Sequence, residues 1–497
     1  MNYTKKAVHG AGNIFAMSML ASALAYLTRI ILGKNLSPED FGLFYAVFTF
    51  LVFLLFFRDL GFSQALMKHI AEFNVHQQFG KIKSAIMITF YFQFIGSIIF
   101  AIVIYLLAPY LALHYFKNQE ATTILRILII YIFGSMLFII SKDTLLGLQR
   151  TALFSLGEFL KNGFVFLLVL LFFYLNKGVY APVYAFALVC FLLFAIYFPL
   201  LLREYSLFKY KTEQFPQVAK KIIWFAVPVF ATAVGSKIIG YVDTLMLTYF
   251  RSLTEVGIYN AVLPTSLLLL YFGTSIASVV LPMASELWTR GDTKRLVRGI
   301  ETIYNYLFVG LVPFFGILFV FAPFILQTFF GSEYLTGVLA MRILLVGSFV
   351  FTLALVNHNL FTALGKPQLV TKIIFLAAAV NAGLNVILIP WLGITGAGIS
   401  TTASYLVAFI VSLWKMNNCL EITIPWKKWG SLLLVGIIFM LLLYKIPLLL
   451  SLNYWLELAL AIVIAGMIYL LLLYCFGVIN LDEIKSHYKL VRWKETK

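Results

Sequence analysis

The chain has 497 residues, of which 62% are hydrophobic and 11% charged, and its formal net charge is +17. Soluble domains carry about 25% charged residues, so this balance excludes a soluble globular enzyme and leaves an integral membrane protein. The basic excess does not point to nucleic acid, because the placement of the charges follows membrane topology.

Taking about 20 residues to cross a hydrocarbon core of about 30 Å, fourteen spans are predicted in chain order: 11–32, 40–67, 85–108, 122–146, 152–175, 180–202, 222–249, 255–284, 301–321, 336–362, 369–390, 395–416, 429–449 and 453–476. Ala23-Leu24-Ala25, with Lys5 and Lys6 upstream, has the look of a signal-peptide cleavage site. The apolar run continues to Leu32, however, so it is read as the first span. Cys190, Cys419 and Cys475 are too widely spaced for a metal site or a disulfide framework and are read as small packing residues.

Lys and Arg fix the expected orientation. With the N-terminus inside, 25 of them fall on inner segments and 5 on outer ones. An even number of spans with both termini cytoplasmic follows, in the cell (inner) membrane. The basic tail from Lys485 onward is expected near anionic headgroups.

The second span opens with Ser37-Pro38-Glu39-Asp40, a hydroxyl cap, a first-turn proline and acids near the positive end of the helix dipole. The stretch RIILGKNLSPEDFGLFYAV, Arg29–Val47, returns as MLTYFRSLTEVGIYNAV, Met246–Val262, with Gly42 and Gly257 215 residues apart. Gly178 and Gly393 share that offset, as do Lys142-Asp143 and Asn357-His358, while Glu72 and Glu286 differ from it by one residue. Self-similarity at a fixed period marks a repeat. Six spans per copy is an even number, so the copies are parallel. The expected fold is an all-α membrane protein of about fourteen helices: two six-helix lobes, 1–210 and 211–418, then a helix pair and basic tail in 419–497.

No P-loop, HExxH, GxSxG or Asp-x-Asp pair occurs, and no outer loop is large enough to hold a catalytic centre, so an enzyme is disfavoured. What remains is charge within the membrane: Arg29, Arg58, Asp59, Lys142, Asp143, Lys161, Lys237 and Asp243, together with His358 near a span end. Each charge costs at least ~2.5–3.5 kcal/mol at a bilayer centre, so such groups face a cavity or a partner. These nine residues are the candidate substrate-binding set. Plainer roles stand beside that one: Lys142 snorkelling, Arg58 paired with Asp59, Glu158 and Lys161 paired along one helix face.

An N-terminal helix bearing Arg29, LSPEDFGLF, then DLGFSQAL at Asp59–Leu66 resembles the polysaccharide flippases (O-antigen and capsule exporters) of the multidrug/oligosaccharidyl-lipid/polysaccharide (MOP) superfamily. VPVFATAVGSKIIGYVDTLML at Val227–Leu247, GIYNAV, and LGITGAGIS at Leu392–Ser400 extend the resemblance over nearly the whole chain. The resemblance implies a MATE-like two-lobe fold and alternating access. It also implies a polyprenyl-pyrophosphate-linked oligosaccharide as substrate, turned from the cytoplasmic to the outer leaflet. A cation-coupled multidrug exporter or a lipid II flippase of the same fold is the alternative, and a polymerase or ligase acting on lipid-linked sugars is disfavoured. The sequence points to no cofactor and does not choose between Na+ and H+ as a coupling ion. Expected partners are the lipid-linked oligosaccharide, membrane lipids and other polysaccharide-assembly proteins, with no nucleic acid and the chain acting as a monomer.

Overall fold

The computed structural model describes residues 3–420, 426–449 and 453–476; the basic tail from Lys485 lies outside the described residues. Among the described residues there are sixteen α-helices and no β-strand. Among the described residues, thirteen stretches are long and apolar enough to cross a membrane. One of them, α14 (Pro367–Leu420), turns back on itself at Gly393, where φ is 55° and ψ −131°. Asn381 Nδ2 donates to Thr401 Oγ1 at 3.1 Å across that turn, whereas twenty residues of straight helix would span about 30 Å. Fourteen spans result, with the break where the predicted spans 369–390 and 395–416 separate. The chain is a multi-pass integral membrane protein.

The first compact unit runs to Ala261 and takes in Phe329–Tyr334 and Ala382–Ala397. It holds α1 (Tyr3–Asn35), α2 (Pro38–Asp59), α3 (Phe62–Val75), α4 (Phe79–His114), α5 (Glu120–Gly147), α6 (Thr151–Tyr174), α7 (Tyr180–Glu204), α8 (Phe215–Phe250) and the start of α9 (Leu253–Ser266). α5 packs on α4, α7 and α3, α1 lies along α6, and α8 packs on α2, α3 and α4.

The second unit takes in Val262–Thr328, Leu335–Asn381 and the described chain from Gly398 on. Its helices are α10 (Leu270–Thr289), α11 (Thr293–Val320), most of α12 (Ala322–Phe329), α13 (Val338–Ala363), the outer parts of α14, and the pair α15 (Trp426–Leu449) and α16 (Tyr454–Cys475). α13 packs on α10, and α15 packs on α11 and α16. Contact density thus groups α8 with the helices before it, whereas the repeat groups it with those that follow. The first partition describes packing, the second ancestry.

The repeat is written into the turns. After α3, Gln77 N and Gln78 N donate to the Asn74 and Phe73 carbonyls; after α10, Gly291 N and Asp292 N donate to those of Trp288 and Leu287. After α5, Leu148, Gln149 and Arg150 donate to Thr144, Leu146 and Leu145; after α13, Leu364, Gly365 and Lys366 donate to Leu360, Thr362 and Phe361. The left-handed residue recurs at each, Gln77 with Gly291 and Gln149 with Gly365, and again at Gly178 with Gly393.

The predicted second span, 40–67, is cut short. Leu60 and Gly61 adopt left-handed backbone (φ 44° and 83°), ending α2 at Asp59 and redirecting the chain into α3. The 14-residue α3 is too short to cross. Apolar composition runs through this corner unbroken, so hydropathy does not see it.

α2 and α9 begin 215 residues apart, and their glycines interlock. A Cβ on Gly42 would fall on the Leu253 carbonyl oxygen, and one on Gly257 on the Pro38 carbonyl oxygen. Small residues let helix backbones approach this closely in a membrane. Both obstacles are main-chain atoms, so relief requires moving a helix. Gly42→Ala and Gly257→Ala are each expected to cost about 1–3 kcal/mol of stability, read as a lower melting temperature in detergent. Gly240→Ala, where a Cβ meets nothing within 4 Å, is expected to leave it unchanged.

Candidate functional site

Six of the nine predicted residues converge on α2, α5, α6 and α8 within the first unit. Arg58 is 3% exposed. Its Nη1 donates to the Ile132 carbonyl at 2.8 Å and to Ser135 Oγ at 3.3 Å, both on α5. Asp59 Oδ1 accepts from Ser63 N (3.2 Å) and Ser63 Oγ (2.6 Å) in the first turn of α3, and from Gln93 Nε2 (2.8 Å) on α4. The expected Arg58–Asp59 pair is therefore absent from their side-chain bonds. Neighbours on a helix point about 100° apart, and each finds a different helix to bind. Arg58 ties α2 to α5, whereas Asp59 braces the corner that starts α3.

Lys142 and Asp143 are both buried on α5. Lys142 takes its counter-charge from α6: its Nζ lies 2.5 Å from Glu158 Oε1. The Phe154 ring, 4.8 Å away, covers the same ammonium. A side chain held between a carboxylate and an aromatic face is not snorkelling. Glu158 is shared, since Lys161 Nζ sits 4.0 Å from its other oxygen with i,i+3 spacing, as expected. The exposures grade this triad: 9% for the Lys142 side chain, 26% for Lys161 and 38% for Glu158. Lys237 on α8 is half-buried, its ammonium 5.5 Å from the Tyr241 ring and 5.9 Å from the Phe56 ring. Arg58 and Lys142 are thus engaged by protein, while Lys161 and Lys237 keep part of their surface open.

Arg29 and Asp243 belong to a second group of contacts, made to Asn260 and Tyr259 midway along α9. Arg29 donates from Nε to Tyr45 OH (3.1 Å) and from Nη1 to the Asn260 carbonyl (2.8 Å), with its guanidinium 4.4 Å from the Tyr45 ring centre. Asp243 is buried and accepts from Tyr259 OH (2.5 Å) and Asn385 Nδ2 (2.6 Å). Asn260 Nδ2 donates to Thr244 Oγ1 at 3.4 Å beside it. His358 lies in the second unit, buried, its ring 6.0 Å from that of Phe351, with Nε2 lacking a hydrogen-bond partner among the described residues. Of the cysteines, only Cys190 is buried, while Cys475 is exposed.

Sequence reasoning missed Ser135, Tyr259 and Asn385. Gln93 had a signal, a lone amide inside the apolar run TFYFQFIG.

Outside the spans, α3 carries a triad of its own. His69 Nδ1 is 3.1 Å from Glu72 Oε2, and Lys221 Nζ is 2.5 Å from Glu72 Oε1. The Lys68 ammonium lies 4.0 Å from the Phe225 ring that also abuts His69. Burial lowers the His69 pKa from 6.5 despite the Glu72 hydrogen bond, and the Lys221 hydrogen bond lowers that of Glu72 from 4.5.

A family model described as "Polysaccharide biosynthesis protein" matches residues 7–288. "Uncharacterized membrane protein MJ1068" of Methanocaldococcus jannaschii is 31% identical over 98% of both chains. "Probable low-salt glycan biosynthesis flippase Agl15" of Haloferax volcanii is 24% identical over 42% of this chain and 45% of its own. A solved structure, "Lipid II flippase MurJ, inward closed conformation", superposes with a TM-score of 0.75 at 17% identity, covering 93% of this chain and 98% of that one.

Two expectations follow from the geometry. Lys142→Gln and Glu158→Gln should each destabilise by about 1–3 kcal/mol, less than the ~3–5 kcal/mol of a fully buried broken pair because Glu158 is partly solvated. The double change should cost less than the two singles added, as a double-mutant cycle on melting temperature would report. For His69, the folded pKa lies below the unfolded one, so the unfolded state binds the extra proton. Stability is then full above the ordinary value of 6.5 and declines as pH falls through it. Glu72 stays ionised through that window, its own loss beginning only below 4.5. The melting temperature should drop from about pH 7 to about pH 5, and His69→Gln should flatten that slope.

Proposed function

Because the chain belongs to the polysaccharide biosynthesis protein family, we propose that it is a flippase for a polyprenyl-pyrophosphate-linked oligosaccharide. It turns this lipid from the cytoplasmic to the outer leaflet by alternating access, for surface polysaccharide or glycan assembly, with both termini cytoplasmic. The observation that carries the reading is the graded triad of Lys142, Glu158 and Lys161 inside the membrane, with Lys237 on α8.

A pyrophosphate is a dense anion that requires fixed cations in a low-dielectric site. Of the four cations on α2, α5, α6 and α8, Lys161 and Lys237 are the two with open surface, and they meet it first. Glu158 neutralises Lys161 while the site is empty, and the longer of its two contacts, 4.0 Å, is the one a phosphate displaces. Lys142 keeps Glu158 in place as that exchange occurs. Arg58, sealed against α5, holds the wall rather than the ligand. The polyprenyl tail remains in the bilayer, so only the head group crosses.

The test is export in a flippase-deficient host, with lipid-linked oligosaccharide measured in the outer leaflet and membrane levels monitored. Each charged hydrogen bond to a phosphate contributes about 1.5–3 kcal/mol. Lys161→Gln and Lys237→Gln should therefore each lower the rate by roughly ten- to hundredfold at unchanged membrane level, and Lys→Arg should retain most of it. Normal export by both glutamine variants would sink this reading.

A further inference from the structure

The two copies of the turn after the fourth span of each lobe solve the same electrostatic problem differently. In the first copy, Arg150 follows the left-handed Gln149 and its Nη2 lies 2.6 Å from Glu204 Oε2 at the end of α7. In the second, Lys366 follows the left-handed Gly365. The residue 215 after Glu204 is Cys419, and Lys366 Nζ contacts its Sγ at 3.3 Å. A cation that meets a carboxylate in one copy thus meets a cysteine in the other, where two further lysines join it. Lys366, Lys372 and Lys415 line a cavity of about 440 Å³ with Gln368, Asn418 and Cys419. No carboxylate is among the described residues that line it.

We propose that this cavity in the second unit binds a phosphate group, supplied by an anionic lipid headgroup or by phosphate in solution. Three lysines line one concavity, the Lys415 ammonium resting 4.2 Å from the Trp414 ring, and their like charges repel unless an anion joins them. Its volume exceeds that of a phosphate, leaving room for a headgroup. Gln368 and Asn418 add side-chain amide donors suited to phosphate oxygens. All three lysines lie on the side that the charge asymmetry assigns to the cytoplasm, where basic pockets between transmembrane helices hold lipid phosphates. The site uses none of the residues of the translocation reading and does not depend on it.

The test uses the full chain in nanodiscs of neutral phosphatidylcholine, in two arms. One adds diacyl phosphatidic acid to the disc and reads lipid retention by native mass spectrometry. The other adds inorganic phosphate and reads the shift in melting temperature. Each lysine near a membrane anion contributes about a fivefold factor, so the combined Lys366→Gln, Lys372→Gln and Lys415→Gln variant should bind roughly a hundredfold more weakly. Cys419→Glu, which places at this turn the acid that the first copy uses, should also weaken binding with the anion-free melting temperature unchanged. Arg150→Gln should leave binding intact. Binding in both arms assigns the phosphate group itself as the ligand, binding of phosphatidic acid alone assigns a membrane source, and binding of inorganic phosphate alone a soluble one. Binding in neither arm, or equal binding by wild type and both the triple and Cys419→Glu variants, overturns the proposal.

Discussion

Inside a hydrocarbon layer no water is available to a backbone N–H or C=O, so the chain can turn only where its own groups cap the helix ends. That constraint pushes the turns to the ends of the spans, where main-chain bonds close them. Its turns after α3 and α5 close with short hydrogen bonds back into the last helical turn, and those after α10 and α13 repeat the pattern. A duplicated chain can exchange nearly every apolar side chain and still preserve such turns, because the bonds are made by main-chain atoms. This is why the repeat survives more clearly in turn geometry than in residue identity.

Charge obeys the same economy with a different solution. Several charged side chains in the spans meet a specific partner: a carbonyl for Arg58, a carboxylate for Lys142, a phenol for Asp243. The partners differ in what they leave open. Arg58 and Lys142 are sealed, and their contacts hold helices together. Lys161 and Lys237 retain surface, which separates groups that build the wall from groups able to meet a ligand.

Much of the fold was legible in the sequence. Spanning segments, the offset of 215 and the break at Gly393 all follow from composition and glycine position. The corner at Leu60-Gly61 was not, because a left-handed leucine leaves no mark on hydropathy. The site was legible as residue types but not as pairs. Arg29 with Tyr45, Lys142 with Glu158, Asp243 with Tyr259 and Asn260 with Thr244 are all separated by 16 residues. Each pair straddles a turn, at matching distances on antiparallel helices. Helical-face reasoning looks at separations of three and four and does not reach them. The contact between Arg58 and Ser135 spans 77 residues and depends on tertiary packing alone.

The interlocked glycines of α2 and α9 have a consequence for ancestry. Gly42 lies against the carbonyl of the residue that opens α9, and Gly257 against that of the residue that opens α2. Each copy therefore supplies both the notch and the carbonyl that fills the other's notch. Such a contact is isologous, the kind that two identical subunits make about a two-fold axis. A half-length chain carrying one copy would display a self-complementary surface there, so fusion of the halves in tandem needs no new chemistry at this crossing. Drift is restrained as well, because a side chain gained by either glycine meets the backbone of its own duplicate.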